Sequence, residues 1–311
     1  MLGSRFGRGY RSTDLRTSVM IIGKKHIFLL ICMCHWMVVA AQDDEDREGG
    51  KVEKKGFMVG LNVGYLLPND EPSTFYDGTP KEPGFLDLNQ YLGQWFIRDQ
   101  VINTLGDRAA NFRLSEYPTE YRYNNALAIG GHVRYQFNWT HAVVADMNFA
   151  KLRSGGLFVI EYPDNTGVTQ PVYENFEITG EEDRMNLSLG YQVALGAPSE
   201  FGMHLEFGPM LTSVRVRSNQ FRIGDRTYSI LRAQTVGQGT DQLINAPIPT
   251  ITSLGGYGQL GANLEVQKFT VEMALRVSLE KIALYEGQEA SYRPSYLPLL
   301  RLVYQLSGSG S

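Results

Sequence analysis

The sequence predicts an all-β fold: an eight-stranded antiparallel up-and-down transmembrane β-barrel with long extracellular loops. Three observations carry this. Apolar and polar residues alternate through eight separate segments, the period of a strand whose two faces meet different surroundings. The connections between these segments alternate strictly between tight turns and long loops. Most of the segments are also long enough for the roughly 9 to 11 residues that a tilted strand needs to cross a bilayer.

Taken in order, the chain of 311 residues begins with a processing signal. Lys24 and Lys25 precede an apolar run, Ile27 to Ala41, that ends Val38-Val39-Ala40-Ala41, the pattern of a secretory signal peptide over residues 1–41. Residues 1–19, with Arg5, Arg8, Arg11 and Arg16, read either as an extended basic region or as an upstream start, and the second is favoured. The apolar run is too short for a helix of about 20 residues to span a membrane, so a helical membrane protein is excluded. Both cysteines, Cys32 and Cys34, lie inside it, and neither follows the small residues that lipidation requires. The mature chain then has no disulfide, zinc-thiolate site or thiol nucleophile. Without residues 1–41 the chain keeps 23 basic and 32 acidic residues, so no sequence-wide basic field attracts nucleic acid. Residues 42–55 form a charged leader that buries too little to order itself, and residues 307–311 are a Ser-Gly tail.

Residues 56–306 make the barrel. Phe57, Val59, Leu61, Val63, Tyr65 and Leu67 share one face of the first strand, opposite Gly60, Asn62 and Gly64. Leu127 to Phe137 repeats the pattern against His132 and Arg134, Val143 to Phe149 against Asp146 and Asn148, and Met185 to Leu195 against Asn186, Ser188 and Gln192. Phe201 to Phe207 stands against His204 and Glu206, Leu260 to Val266 against Asn263 and Glu265, Phe269 to Leu279 against Glu272 and Arg276, and Leu300 to Leu306 against Arg301. Residues 137–139, 196–200 and 267–268 are tight turns; residues 68–125, 154–183, 218–253 and 285–295 are long connections. Leu157 to Tyr162 with Val172 to Ile178, and Gln220 to Ile230, read as hairpins that extend the strands, which makes ten strands the alternative count. Pro209 implies a bulge or a gap in the ladder.

In the first long connection, Asp87-x-x-Gln90 is a capping box. Leu88, Tyr91, Leu92, Trp95, Ile102 and Leu105 then recur at helical spacing until Gly106. Their apolar face is either a docking surface for a partner or packing against the neighbouring loops.

A soluble lipocalin-like barrel would show the same alternation with its apolar face inside. Against it, the polar face mixes glycines with Arg, Glu, Asn and His, as a narrow packed lumen would. Aromatics such as Phe57, Tyr65, Phe137, Phe149, Phe201 and Phe269 sit near the strand ends of the apolar face, as membrane girdles do. The polar face brings Arg134, Arg276 and Arg301 together with Asp146, Glu206, Glu265, Glu272 and Glu280. Buried charges persist only when paired, so these read as a salt-bridge network that closes the lumen. Past the apolar face, Lys151, Arg153, Arg215, Arg217 and Lys281 fall where outer head groups begin. They read either as a belt on lipopolysaccharide phosphates or as long side chains reaching water.

No catalytic motif stands out. His132 is followed by Arg134 and His204 by Glu206, so neither places a hydroxyl nucleophile beside its base. No cofactor or metal is expected.

The alternating segments and the ending Tyr304-Gln305-Leu306 resemble the small outer-membrane barrels of Gram-negative bacteria of the OmpA and OmpX type. The large loops and Tyr/Asn-rich strands look most like the PorT-like barrels of Bacteroidota. The resemblance covers Gly56 to Leu306 and implies outer-membrane residence, both termini periplasmic, and conceivably a role in a secretion or envelope assembly. The leading expectation is a non-enzymatic protein that binds a partner or surface component through its extracellular loops and contacts outer-membrane lipids and lipopolysaccharide. The alternatives are an outer-membrane lipid or acyl-modifying enzyme and a soluble periplasmic carrier.

Overall fold

The computed structural model describes residues 56–81, 87–106, 109–162, 170–196, 201–230, 250–266, 269–284 and 288–306. The expected signal, leader and tail lie outside them. Eight antiparallel strands form a closed ring: β1 (Gly56–Leu66), β4 (Ala126–Gln136), β5 (His141–Tyr162), β6 (Val172–Leu195), β7 (Phe201–Ile223), β9 (Thr250–Val266), β10 (Phe269–Glu280) and β11 (Arg293–Gln305). Each pairs with the next in that order, and β11 closes on β1 through pairs such as Leu61 with Leu302. Closure leaves no ring edge unpaired in lipid. Three short strands, β2 (Arg113–Glu116), β3 (Arg122–Tyr123) and β8 (Arg226–Ser229), are added at the loop end on β5 and β7.

Across the turn-end half of the ring, the apolar positions point outward and the polar ones inward. Leu61, Ile129, Leu189, Leu260, Met273 and Leu300 are exposed, while Asn62, His132, Asp146, Glu206, Glu272 and Arg301 are buried. An exposed apolar belt around a buried polar core suits lipid outside, and it overturns the lipocalin-like arrangement. Aromatics pair across strands near the turn end, Phe57 with Tyr135 at 4.7 Å and Phe269 with Tyr304 at 5.2 Å between ring centroids. Such aromatics mark the level where a bilayer meets water. In the turn after β4, the Asn138 side-chain oxygen accepts from the backbone N–H groups of Thr140 and His141, which accounts for asparagine there.

Toward the loop end the polarity inverts. On β5 the outward face passes from Phe149 to Lys151 and Arg153, while the inward face passes from Asn148 to Leu152, Phe158 and Ile160. On β6 it passes from Leu187 to Asp183 and Glu181 outward, and inward from Asn186 to Ile178 and Phe176. Strand parity is unbroken in both; only the solvent facing the outside has changed, from hydrocarbon to water. The height of this inversion defines the membrane surface on the loop side.

Above it, β5, β6 and β7 continue as one curved sheet, and residues 151–162 of β5 span roughly 40 Å of strand at about 3.3 Å each. The two expected hairpins are present. Residues 157–162 pair with 172–177, and Gln220 to Ile223 pair with Arg226 to Ser229 around Gly224, whose φ of 59° suits glycine. They lengthen ring strands and add none to the ring, so the count is eight. Pro209 pairs with Gly256 in an uninterrupted register, so the expected bulge is absent there. The burial phase of β7 shifts instead between Val216 and Asn219, where the membrane part gives way to the surface hairpin.

The first long connection folds into this sheet's concave face. It contains a 3-10 turn (Glu71–Tyr76) and two helices, α1 (Leu88–Gly93) and α2 (Trp95–Leu105). The N-cap half of the capping box forms, with the Asp87 carboxylate accepting from the Gln90 N–H at 2.8 Å, and Gly106 ends α2 with φ 82°. Leu88, Tyr91 and Leu92 join Phe158, Ile160, Ile178 and Phe221 in one buried core. Each such buried side chain contributes roughly 1.5–3 kcal/mol, which holds the connection down against its entropy.

Candidate functional site

Inside the membrane-spanning part, all eight ring strands send a polar side chain into one network. Arg301 on β11 donates from Nε to Asn62 of β1 at 2.9 Å and from its terminal nitrogens to Asp146 of β5, Glu206 of β7 and Glu272 of β10 at 3.0 to 3.3 Å. Arg276 on β10 donates to Asp146 at 2.5 Å, to Glu206 at 3.2 Å, to Gln259 of β9 and to Ser188 of β6, and its guanidinium lies 4.3 Å from the centre of the Tyr257 ring. Arg134 on β4 donates to Glu272 at 2.5 Å. His132 shares a 2.8 Å hydrogen bond with Asp146. Three guanidinium groups thus meet three carboxylates, a balanced set in which Arg301, Glu206 and Glu272 are fully buried. Packing makes room for it: a Cβ at Gly190 would stand 2.0 Å from the Tyr257 hydroxyl, which donates to Glu206.

A second cluster lies at the loop-end mouth. Tyr76 of the 3-10 turn and Tyr123 of β3 both donate to one oxygen of Glu182 on β6, at 2.8 and 2.7 Å. Arg184 donates from Nε to the other oxygen at 2.6 Å, and its NH1 stands 3.9 Å from Glu280. Tyr76 reaches this depth because Gly180 offers no side chain; a Cβ there would lie 2.3 Å from its ring. The first connection therefore plugs the mouth as well as covering it.

The expected lumen set is thus divided. Arg134, Asp146, Glu206, Glu272, Arg276 and Arg301 converge. Glu280 belongs to the mouth cluster, where Ser278 donates to it at 2.9 Å, and Glu265 sits half-buried near the turn end, paired in the ladder with Thr270. Sequence reasoning missed Glu182 and Arg184, which extend the inward parity of β6 beyond Asn186, Glu182 within the long connection expected over residues 154–183. It also missed the insertion of Tyr76, for which Gly180 inside a strand is the one local signal.

Of the two readings of the loop helix's apolar face, packing against the neighbouring loops is what the structure shows, and the docking reading is corrected. Leu88, Tyr91 and Leu92 are buried, and Ile102 and Leu105 pack against the same core, so the face is occupied by the chain's own hairpins. Trp95 alone stays out, 70% exposed beside Phe96. The five rim cations all point outward, as parity requires. Lys151 and Arg153 are paired with Glu181 at 2.7 and 2.9 Å, and Arg217 with Asp183. The lumen histidines do not form a catalytic array: His132 is held by Asp146, and the buried His204 makes no hydrogen bond. Among the described residues no group of three His, Cys, Asp or Glu side chains is placed to hold a metal.

No protein-family model and no curated sequence matches the chain. Solved structures do. Neisserial surface protein A is 7% identical over 81% of this chain and 97% of its own, with a TM-score of 0.41. The outer-membrane protein OprG of Pseudomonas aeruginosa is 11% identical over 81% and 93%, with a TM-score of 0.33. The attachment invasion locus protein of Yersinia pestis, solved with the heparin analogue sucrose octasulfate, is 9% identical over 80% and 99%, at 0.32. These similarities are too low to carry any residue's role across.

Proposed function

We propose that the chain is a non-enzymatic outer-membrane barrel whose filled membrane part anchors a prefolded extracellular platform that binds a partner. One observation carries the reading: the helices of the first connection and both hairpins share one buried apolar core above the membrane surface. A platform built that way is rigid before it meets anything, so binding costs little ordering. The filled lumen beneath it speaks against solute passage, and the histidines without a neighbouring hydroxyl nucleophile speak against acyl chemistry. The partner is a component of the cell surface or of an envelope or secretion assembly, as the resemblance to PorT-like barrels implies. Lipopolysaccharide is the lipid at the rim. Because the ring has an even number of strands, β1 starts and β11 ends at the turn end, which the proposal places in the periplasm.

Gentle solubilisation of membranes, followed by co-purification, tests this with two chains. The full chain should retain a stoichiometric partner, and a chain in which residues 68–125 are replaced by a short turn should lose it while remaining a folded barrel. Equal retention by both, or none by either, would sink the platform reading. Protease added to intact cells should cut loops and spare the turn at 196–200; early cleavage at that turn would reverse the topology.

A further inference from the structure

The five rim cations fall into two electrically different sets. On β5 to β7 each cation has an acidic partner, Glu181 shared by Lys151 and Arg153 and Asp183 held by Arg217. Arg215 on β7 and Lys281 just past β10 have no acidic partner among the described residues, and both are exposed. β9 runs between them. Its outward face there carries hydroxyls, Thr250 opposite Arg215 and Thr252 opposite Ser213 in the ladder. Further toward the turn end, between the exposed Leu254 and Leu260, two successive outward positions of β9 lack side chains: Gly256 and Gly258, the latter lying between Phe207 of β7 and Val277 of β10. A Cβ at Gly258 would meet nothing within 4 Å, and one at Gly256 would meet only the Gly208 carbonyl oxygen at 3.6 Å. The result is an apolar notch one strand wide, closed above by the exposed Leu254, with Lys281 beside that leucine and Arg215 and the two threonine hydroxyls above it.

We propose that this surface of β7, β9 and β10 is a specific seat for the lipid A part of lipopolysaccharide. The inference rests on the loop end facing the outer leaflet. An acyl chain lies in the glycine groove, and the phosphates meet Arg215, which offers paired donors, and Lys281, which acts as a point charge. The two cations stand on strands separated by β9, and because Arg215 lies opposite Thr250 while Lys281 follows Leu279, which lies opposite Gly256, they are also staggered by four residues, about 16 Å apart across the sheet. That spacing suits a head group with a phosphate at each end better than a single phosphodiester. The rival surface is a groove of about 350 Å³ on the same outer wall, lined by Leu127, Ile129 and Phe149 below Lys151 and Asp183. It has room for an acyl chain, but its lysine is already held by Glu181 and an aspartate sits beside it, so a phosphate gains little there.

The test titrates the full, refolded chain in neutral detergent micelles with bisphosphorylated lipid A, dephosphorylated lipid A and phosphatidylglycerol, with folding followed by the mobility shift on heating. Bisphosphorylated lipid A should bind tightest, and the Arg215→Glu, Lys281→Glu double variant should weaken it about tenfold or more, the effect of losing two charge-assisted contacts. Lys151→Gln with Arg153→Gln should change it less than about twofold, as expected of exposed cations already engaged by Glu181. Gly258→Leu, which fills the groove without altering charge, should also weaken binding and covers the case in which the double variant misfolds. Equal losses from both cation sets would show a diffuse belt instead of a seat. Binding of dephosphorylated lipid A or phosphatidylglycerol as tightly as the bisphosphorylated form would overturn the assignment. Partner retention by the platform is measured separately in the same variants, so failure of one reading is distinguishable from failure of the other.

Discussion

Arg301 touches carboxylates from three other strands and an asparagine from a fourth, so its removal strands charge in several places at once. Deleting one partner of a buried ion pair is far more damaging than the pair is stabilising, because the survivors remain desolvated. Arg301→Ala should therefore lower the unfolding free energy by about 3–5 kcal/mol, read from urea titration of the barrel refolded into lipid vesicles. A loss below about 1 kcal/mol, the scale of a surface pair, would mean that the network is hydrated and contributes little. Gly180 makes the opposite kind of prediction, since its alanine variant adds atoms. A Cβ 2.3 Å from the Tyr76 ring must push that side chain out, at about 1–3 kcal/mol for overpacking. The expected sign is faster proteolysis between residues 68 and 81, with the mobility shift of the ring unchanged. Unaltered proteolysis would mean that Tyr76 does not sit at the mouth.

At the scale of elements, the ring was legible in the sequence and the platform only in pieces. Alternation placed the eight strands because hydrocarbon outside and polar groups inside give the two faces opposite character. The same alternation runs on, but its outward positions turn polar once water replaces lipid, while the inward ones pass from Arg184 and Glu182 to Ile178 on β6 and from Asn148 to Leu152 and Phe158 on β5. A search for apolar residues on the outward face therefore stops at the membrane surface, so the hairpins beyond it stand apart in the sequence from the membrane strands they continue. The α1 cap was readable because Asp87 and Gln90 are neighbours in sequence. The meeting of Tyr76, Tyr123 and Glu182 was not, since it depends on contacts between residues 59 to 106 positions apart. The helices and the upper sheet form a unit with its own core, and this too can be tested. Leu88→Asp puts a charge into that core beside Phe158 and Ile178, a burial that an unpaired carboxylate cannot sustain. It should release the first connection to protease while the ring keeps its heat-dependent mobility shift. Loss of the ring as well would show that platform and barrel fold as one cooperative body.

For the whole molecule, the question is whether anything passes through it. An eight-stranded ring is just wide enough to be filled by its own side chains. Here one layer, built around Arg134, Arg276 and Arg301, crosses the lumen with contributions from every ring strand. The mouth cluster is a second barrier in series, made by a different part of the chain and anchored on Glu182. The two share no hydrogen bond among the described residues, so opening the mouth leaves the arginine layer in place. The chain reconstituted in planar bilayers should accordingly show no steady conductance, and the Tyr76→Ala, Tyr123→Ala double variant should show none either, although its mouth is unplugged. Conductance should appear only when the layer itself is thinned, as in Arg276→Ala with Asp146→Ala and Glu206→Ala, which removes charge of both signs and their volume together. Steady channels in the tyrosine variant would show that the mouth cluster alone closes the barrel. The arginine layer would then be a hydrated lining that ions can cross, and the anchor reading would have to give way to a gated path.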